Sequence, residues 1–110
     1  ITPAGVVTTL AGSTNGFADG AASTSQFSYP SGLAIDGNGD IYVADENNHR
    51  VRKITSAGVV STLAGTSNGS ADGDAQTAQF SYLSGVAVDT NGTVFVIDKD
   101  NHRVRKITID

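Results

Sequence analysis

Residues 27–54 read FSYPSGLAIDGNGDIYVADENNHRVRKI, and 53 residues later the chain reads FSYLSGVAVDTNGTVFVIDKDNHRVRKI over residues 80–107. The repetition extends outward from these segments without a gap, so that repeat 1 covers about residues 1–53 and repeat 2 about residues 54–110. Where the copies differ, one apolar side chain mostly replaces another. Two near-copies of one unit indicate a repeat fold within a single domain of 110 residues.

The composition is that of a globular protein, with 38% hydrophobic and 16% charged residues. A net charge of −4 argues against a nucleic-acid or anionic-membrane partner, since such binding depends on Lys and Arg meeting phosphates. The absence of Cys excludes disulfides and thiolate metal sites and leaves the cellular compartment undetermined. Because the chain has no Met and begins partway through a unit, we expect a fragment or an engineered, synthetic sequence.

The residue types predict an all-β chain, because Gly, Thr, Val and Ile suit strands and turns and no segment has apolar residues at helical spacing. Four short strands per repeat form an antiparallel meander. The predicted strands are Val6–Ala11, Leu33–Asp36, Asp40–Asp45, Arg50–Thr55, Val59–Ala64, Val86–Asp89, Thr93–Asp98 and Arg103–Thr108. The strand near the start is equivalent to the fourth strand of repeat 1, so the repeats are circularly permuted.

The central strands are apolar on both faces, as in Ile41–Ala44 and Val94–Ile97. A sheet with one face in water would alternate, so these sheets must be covered on both sides. Four-stranded meanders stacked face to face are the blades of a β-propeller, which closes with about four to eight blades. The aromatic residues before each inner strand, Phe27 and Tyr29 with Phe80 and Tyr82, are expected to fill the gap between blades.

Two blades are too few for a closed propeller, because repeat arrays need roughly three or more units. The last sheet lacks its fourth strand and the first strand lacks a sheet, so we expect chains to complete one another by strand exchange. Each chain supplies two blades, which favours a homotrimer with six blades, followed by a tetramer with eight. The residues expected at this assembly contact are Val6, Val7, Leu10, Arg103, Val104 and Ile107.

A carboxylate, an imidazole and a guanidinium recur together after the second strand of each repeat. No Ser or Cys nucleophile motif accompanies them, so the pattern favours hydrogen bonds within or between blades over catalysis. The residues concerned are Asp45, His49, Arg50, Asp98, His102 and Arg103. We expect no catalytic residue, no cofactor and no metal. The Arg-x-Arg-Lys runs are interpreted as outer-strand charges.

Asp36-Gly37-Asn38-Gly39-Asp40 resembles the start of a calcium loop. It fails as an EF-hand, since Ile41 and Asn47 stand where Gly and Glu are required. Asn-Gly between two apolar runs instead predicts a hairpin turn. Acidic residues in the Gly-rich connections, Asp19, Asp72 and Asp74, are likewise interpreted as parts of solvated turns.

These patterns resemble the NHL repeat family, named for its Asn-His-Leu signature. The match covers Phe27-x-x-Pro30-x-Gly32, Gly39–Asp45 and Asn48–Ile54, with their counterparts in repeat 2. Leu83 stands where the pattern has Pro, and Arg50 and Arg103 replace the name-giving Leu. The resemblance implies propellers of usually six blades, in which a terminal strand completes the last blade, a closure called Velcro. It also implies a scaffold for protein or RNA recognition, with one enzymatic branch of metal-dependent lyases.

The functional expectation is a self-assembling, non-enzymatic propeller scaffold whose partner is itself, in a cyclic homo-oligomer. The alternative is a recognition module that binds protein, peptide or glycan through loops on a face of the ring. A metal-dependent lyase is a distant third. The fold alone does not decide among these uses.

Overall fold

The computed structural model describes residues 5–108, and within this range the chain is all-β. It contains eight strands and two single-turn 3₁₀ segments, with no α-helix in the described range. The strands are β1 (Gly20–Ala21), β2 (Pro30–Ile35), β3 (Ile41–Asp45), β4 (Arg50–Ile54), β5 (Val59–Ala64), β6 (Leu83–Val88), β7 (Val94–Asp98) and β8 (Arg103–Ile107). The 3₁₀ turns are Glu46–Asn48 and Lys99–Asn101. Nothing helical between residues 5 and 108 is long and apolar enough to span a membrane.

Residues 20–64, which take in most of repeat 1 and the strand β5 that follows it, form a five-stranded antiparallel sheet in the order β1-β5-β4-β3-β2; we refer to it as the first sheet, or the sheet of repeat 1. Its four long strands are the predicted meander, from β2 to β5. The fifth strand, β1, comes from the Gly-rich connection that precedes β2 and pairs Gly20 with Val60 and Ala21 with Val59. The sequence analysis missed β1, because two residues that include a Gly carry no alternation signal.

Repeat 2 forms a three-stranded antiparallel sheet in the order β6-β7-β8. Its register repeats that of the first sheet, since Val43 is opposite Arg52 and Val96 is opposite Arg105. Within the described residues, β8 has no strand on its outer side, whereas its counterpart β4 pairs with β5. The second sheet is therefore a meander with one strand missing.

The predicted strand Val6–Ala11 does not form in the single chain. Residues 6–10 have no regular secondary structure, and Val7 is 83% exposed. Strand formation requires pairing with a neighbouring strand, which residue type alone does not supply. A second correction concerns the inner strands, which begin at Pro30 and Leu83, three residues before the predicted Leu33 and Val86. Each has a register shift after its first residue, which hides the alternation there.

The two sheets stack face to face around one apolar core. The face of the first sheet that carries Tyr42 packs on the face of the second sheet that carries Val94. The buried side chains of this core are Tyr42, Ala44, Val51 and Ala64 from the first sheet, Leu83, Val94 and Val96 from the second, and Phe80 from the connection before β6. A smaller cluster of Val43, Ile54 and Val60 lies on the opposite face of the first sheet. The central strands are therefore apolar on both faces because both faces carry core residues.

The inner strands β2 and β6 approach each other closely. A Cβ atom added to Gly32 would lie 3.2 Å from the Cα atom of Gly85 and 3.3 Å from the carbonyl oxygen of Ser84. Only Gly allows this approach without displacing the neighbouring strand. The hydroxyl of Ser31 donates to the carbonyl oxygen of Leu83 at 3.0 Å and fixes the relative position of the two strands.

Candidate functional site

Arg52 lies at the centre of a buried polar network in repeat 1. Its Nη1 donates to Asp45 Oδ2 at 2.7 Å and to the carbonyl oxygen of Gln26 at 2.8 Å. Its Nη2 donates to Asp19 Oδ1 at 2.7 Å and to the carbonyl oxygen of Ala18 at 2.8 Å, and Nε also reaches Asp19. All five N–H groups of the guanidinium are thus used, which is what a buried Arg requires.

The carboxylate of Asp45 is satisfied in the same way. Its Oδ1 accepts the backbone N–H of Ser28 at 2.7 Å, and its Oδ2 accepts Asn48 Nδ2 at 2.7 Å in addition to Arg52. The same Asn48 amide donates to the carbonyl oxygen of Gly16 at 2.8 Å. The network therefore links the long Gly-rich connection to strands β3 and β4.

Two aromatic rings complete the surroundings of Arg52. Its guanidinium carbon lies 4.7 Å from the centroids of both Phe17 and Phe27. Arg50 lies 4.2 Å from the centroid of Phe17. These are cation–π distances, so the two rings attract the charge of Arg52 as well as packing against it.

Repeat 2 contains the same network around Arg105. Nη1 donates to Asp98 at 2.7 Å and Nη2 donates to Asp72 at 2.6 Å. Asn101 and the backbone N–H of Ser81 donate to Asp98, as their counterparts do in repeat 1. The repeated connections of the two Asp-Arg pairs indicate that the network organises the blade.

The two networks differ around the outer carboxylate. Asp19 accepts from both Nε and Nη2 of Arg52, whereas Asp72 accepts only from Nη2 of Arg105, and Ser70 replaces Phe17 in repeat 2. The side chain of Asp19 is 39% exposed, whereas that of Asp72 is 92% exposed. In repeat 1 the adjacent strand β5 supplies Thr62, whose hydroxyl donates to Asp19 Oδ2 at 3.0 Å. No described residue occupies the corresponding place beside Asp72. Asp72 is more exposed than Asp19 because the second sheet has no fourth strand among the described residues.

An open slot of about 600 Å³ marks the same place. The slot is lined by β8 with Thr108, by the connection at Asp72–Asp74, and by the side chain of Phe80. In repeat 1 the equivalent space between β4 and β1 is filled by β5. The slot therefore has the position and the walls of a binding site for one extended strand.

Apolar surfaces remain on the outer faces of both sheets. On the second sheet, Phe95, Ile97 and Val104 are exposed, although their counterparts Tyr42, Ala44 and Val51 are buried between the sheets. On the first sheet, a depression of about 300 Å³ remains on the opposite face. It is lined by Thr9, Leu10, Ala11, Phe27, Pro30, Leu33, Ile41, Val43 and Ile54. Each exposed face is thus the counterpart of a face that is covered inside the chain.

The structure places the predicted polar residues in three settings. Asp45 and Asp98 belong to the buried networks. His49 Nδ1 accepts the backbone N–H of Tyr82 at 3.0 Å, across the two sheets, and Arg50 Nη1 donates to the carbonyl oxygen of Asn48 at 3.1 Å. The side chains of His102 and Arg103 are exposed and make no hydrogen bond to another residue between 5 and 108.

The predicted assembly residues lie at the two open places of the molecule. Val6, Val7 and Leu10 are exposed before the first sheet. Arg103, Val104 and Ile107 lie on β8 and line the slot. These two groups are not brought together within one chain.

The positions of Arg52 and Arg105 in these networks were not predicted from the sequence. The sequence analysis interpreted the Arg-x-Arg-Lys runs as outer-strand charges, which is wrong for Arg52, because its side chain has no exposed surface. A signal was present: each repeat places this Arg on a strand between Val and Ile, and each has an Asp in the second strand and an Ala-Asp-Gly in the connection.

The segment Asp36–Asp40 forms a hairpin turn. Asp36 Oδ1 accepts the backbone N–H groups of Asn38 at 2.9 Å and Asp40 at 3.0 Å, and Oδ2 accepts the hydroxyl of Tyr42 at 2.9 Å. Partial desolvation opposes the charged form of Asp36, but these hydrogen bonds and the charge of Lys53 lower its pKa overall. Residues 5–108 contain no cluster of three or more His, Cys, Asp or Glu side chains arranged to hold a metal ion.

Comparison with known proteins identifies the same repeated unit. The model of the NHL repeat matches residues 27–54 and 80–107, together just over half of the chain. The chain is 35% identical over 94 residues to the chloroplastic protein SUPPRESSOR OF QUENCHING 1 of Arabidopsis thaliana, a match over 84% of this chain and 9% of the relative. The chain therefore spans about a tenth of the length of this curated relative.

Solved structures share the fold. A Bacteroides thetaiotaomicron protein provisionally named a phosphatase superposes with a TM-score of 0.82 at 26% identity, over 93% of this chain and 26% of that one. An auxiliary nutrient binding protein of the same organism superposes with a TM-score of 0.80 at 27% identity, over 90% of this chain and 28% of its own. The two sheets of the chain thus occur as adjacent units of larger proteins.

Proposed function

Because the chain belongs to the NHL repeat family, we propose that it is a two-bladed propeller segment that assembles with further copies of itself into a closed ring by strand exchange. Repeat proteins bury their apolar faces by stacking on neighbours. Residues 5–108 leave one such face uncovered on each side, and none of these residues occupies the strand position beside β8. A second copy has matching parts for both.

The observation that carries the proposal is the difference between the two equivalent Asp residues. Asp19 is covered because β5 lies beside it, and Asp72 is exposed because no described strand lies beside β8. The segment Val6–Ala11 has nearly the sequence of β5, with Val-Val-Thr-Thr-Leu-Ala in place of Val-Val-Ser-Thr-Leu-Ala. In our proposal this segment of one copy occupies the slot beside β8 of the next.

The register of the exchanged strand follows from repeat 1. There, Ile54 pairs with Val60, Arg52 with Thr62 and Val51 with Ala64. An offset of 53 residues converts these pairs into Ile107 with Val7, Arg105 with Thr9 and Val104 with Ala11 of the neighbouring copy. Thr9 would then donate its hydroxyl to Asp72, as Thr62 does to Asp19.

The exposed faces support the same arrangement. The exposed face of the second sheet carries Phe95, Ile97 and Val104. In our proposal it would stack on the exposed face of the first sheet of the next copy, which carries Leu33. Burying apolar surface contributes about 25 cal/mol per Å², so these faces supply the main driving force of assembly.

The contact is head-to-tail, so identical copies close into a ring with cyclic symmetry. Two blades per copy require an even blade number, and within the usual range of about four to eight blades a trimer with six is the first proposal and a tetramer with eight the second. We propose no catalytic activity for this scaffold. Hydrolysis of p-nitrophenyl phosphate by the purified protein would contradict that part of the proposal.

The test is the mass of the particle together with two substitutions at adjacent positions. Light scattering on a size-exclusion column should give three chains per particle. Val7→Asp should abolish the ring, because its counterpart Val60 is only 1% exposed, whereas Val6→Asp should leave it, because the counterpart Val59 is exposed even when paired. A monomeric wild type, or equal behaviour of the two variants, would refute strand exchange.

A second candidate function is recognition of a protein, peptide or glycan by loops on a face of the ring. It is favoured by the similarity to the auxiliary nutrient binding protein of Bacteroides thetaiotaomicron. A glycan and peptide array probed with the assembled protein tests it. Binding by the wild type that is lost in the Val7→Asp variant would support recognition by the ring, and an array without signal would remove this candidate.

A further inference from the structure

A polar seam joins the two sheets within the chain. The backbone N–H of Tyr82 donates to His49 Nδ1 at 3.0 Å, and the two rings meet edge to face with centroids 4.6 Å apart. Beside them, Lys99 Nζ lies 3.0 Å from Glu46 Oε2. The seam thus consists of one hydrogen bond, one ring contact and one ion pair between successive repeats.

The same groups occur on the two sides of the chain that have no neighbour. His102 is the counterpart of His49 and lies exposed on the second sheet, and Tyr29 is the counterpart of Tyr82 and is exposed on the first sheet. Their backbones already have the conformation found in the seam. Tyr29 has φ of 55° and His102 has φ of 56°, the values of Tyr82 and His49. Such left-handed conformations are uncommon for residues other than Gly, and the chain adopts them here without a neighbouring copy.

We propose that a second copy of the chain docks with its Tyr29 and Glu46 on His102 and Lys99 of the first, so that the seam continues across the subunit boundary. The proposal rests on the ring described above and adds which residues recognise the neighbour. The backbone N–H of Tyr29 donates to His102 Nδ1, which requires a neutral imidazole with its hydrogen on Nε2.

Charge complementarity identifies the occupant as repeat 1 of another copy. Glu46 and Lys99 are equivalent positions, 53 residues apart, and they pair with each other across neighbouring sheets. A neighbour of the repeat 1 type places Glu46 opposite Lys99, whereas a neighbour of the repeat 2 type would place Lys opposite Lys. Opposite charges meet where repeat 2 is followed by repeat 1, and like charges meet where two copies of the same repeat are adjacent. The seam therefore favours a ring in which the two repeats alternate.

The first experiment compares matched substitutions at the two His residues by sedimentation over a range of concentrations. His102→Ala should weaken association about fivefold to tenfold per boundary, the usual effect of losing one hydrogen bond and one ring contact. His102→Asn should retain most of the association, because Asn keeps an acceptor and tolerates a positive φ. His49→Ala should instead lower the stability of the chain, since its partner Tyr82 belongs to the same chain.

The outcomes separate this proposal from the ring itself. A His102→Ala protein that assembles as tightly as the wild type would overturn the seam and leave the ring standing. A wild type that stays monomeric would overturn both. Equal weakening by His102→Ala and His102→Asn would also count against the seam, because the acceptor would then have no role.

A mixing experiment isolates the ion pair at the boundary. The Lys99→Glu and Glu46→Lys variants each have like charges at these positions, both within the chain and between copies. In a mixture of the two variants, opposite charges meet only between different chains. The mixture should associate several-fold more tightly than either variant alone, and 1 M salt should remove the gain. A mixture no tighter than its components would overturn the pairing of Lys99 with Glu46.

Discussion

Arg52 Nη1 lies 2.7 Å from Asp45 Oδ2, and neither side chain has any solvent-exposed surface. A buried ion pair is tolerated only when the remaining donors and acceptors are satisfied, and here backbone carbonyls, Asn48 and Ser28 complete the set. Among the described residues, no buried side-chain nitrogen or oxygen lacks a hydrogen-bond partner. The Gly-rich connection of each repeat is therefore held by charge as well as by packing.

Arg52→Ala is expected to lower the free energy of unfolding by about 3–5 kcal/mol, because it leaves Asp45 buried without its counter-charge. Urea denaturation of the wild type and the variant measures the difference. Arg105→Ala is the matched control. With Val7→Asp added to both proteins to keep the chain single, it should cost less, because its outer partner Asp72 is then in water. An equal loss of unfolding free energy in the two variants would contradict the expectation that the cover supplied by β5 makes Arg52 contribute more than Arg105.

In the single chain, kept unassembled by Val7→Asp, Gly65→Ala is expected to be more destabilising than Gly12→Ala, although the two Gly residues are equivalent and have φ of 103° and 105°. A Cβ atom at Gly65 would lie 2.5 Å from the carbonyl oxygen of His49, whereas at Gly12 the nearest atom is a Phe27 ring carbon at 3.5 Å. The additional cost of the backbone clash should be about 1–3 kcal/mol in thermal or urea unfolding. Similar losses would contradict the expected difference in crowding.

Tyr42→Phe should remove a loss of stability at high pH. Burial, the hydrogen bond to Asp36 and the charges of Asp36 and Asp40 raise the pKa of Tyr42 from 10.0 to about 12. Since the folded chain favours the neutral phenol, the stabilisation is complete below pH 10 and is lost as the pH rises toward 12. Unfolding followed by circular dichroism between pH 9 and about 12 should show this loss in the wild type and a smaller one in the variant. Parallel curves would contradict the assignment.

Acidification should weaken the contact between the two sheets through His49. Burial and the charge of Arg50 lower the pKa of His49 below 6.5, against the opposing effect of Asp100 and Asp98. The neutral ring accepts the N–H of Tyr82, and a protonated ring has no free acceptor. This contribution to stability is therefore complete above pH 6.5 and is lost as the pH falls through the lowered pKa of the folded chain.

Nuclear magnetic resonance of the imidazole protons gives the pKa of His49 directly, and thermal unfolding between pH 7.5 and 5 gives the stability. His49→Asn is the control, since Asn keeps an acceptor and does not titrate. A variant with the same acid sensitivity as the wild type would place the titrating group elsewhere.

The sequence predicted the repeated meander, because β3 and β7 are apolar on both faces and are bounded by Asn-Gly turns. It predicted a strand at Val6–Ala11 that does not form in one chain, since strand formation depends on an available edge and not only on residue type. It missed β1 and the role of Arg52. Both depend on the path of the connection at residues 12–29, where Gly and Ser give no periodic signal.

Within residues 5–108, the open slot beside β8 and the segment Val6–Ala11 that we propose fills it in the next copy each occur once. In a circular particle every slot is filled and every segment is used, so no site for further growth remains. In a linear particle one of each is always left over at the ends. Closure would thus make the particle self-limiting in size, with its stoichiometry determined by blade curvature and not by protein concentration.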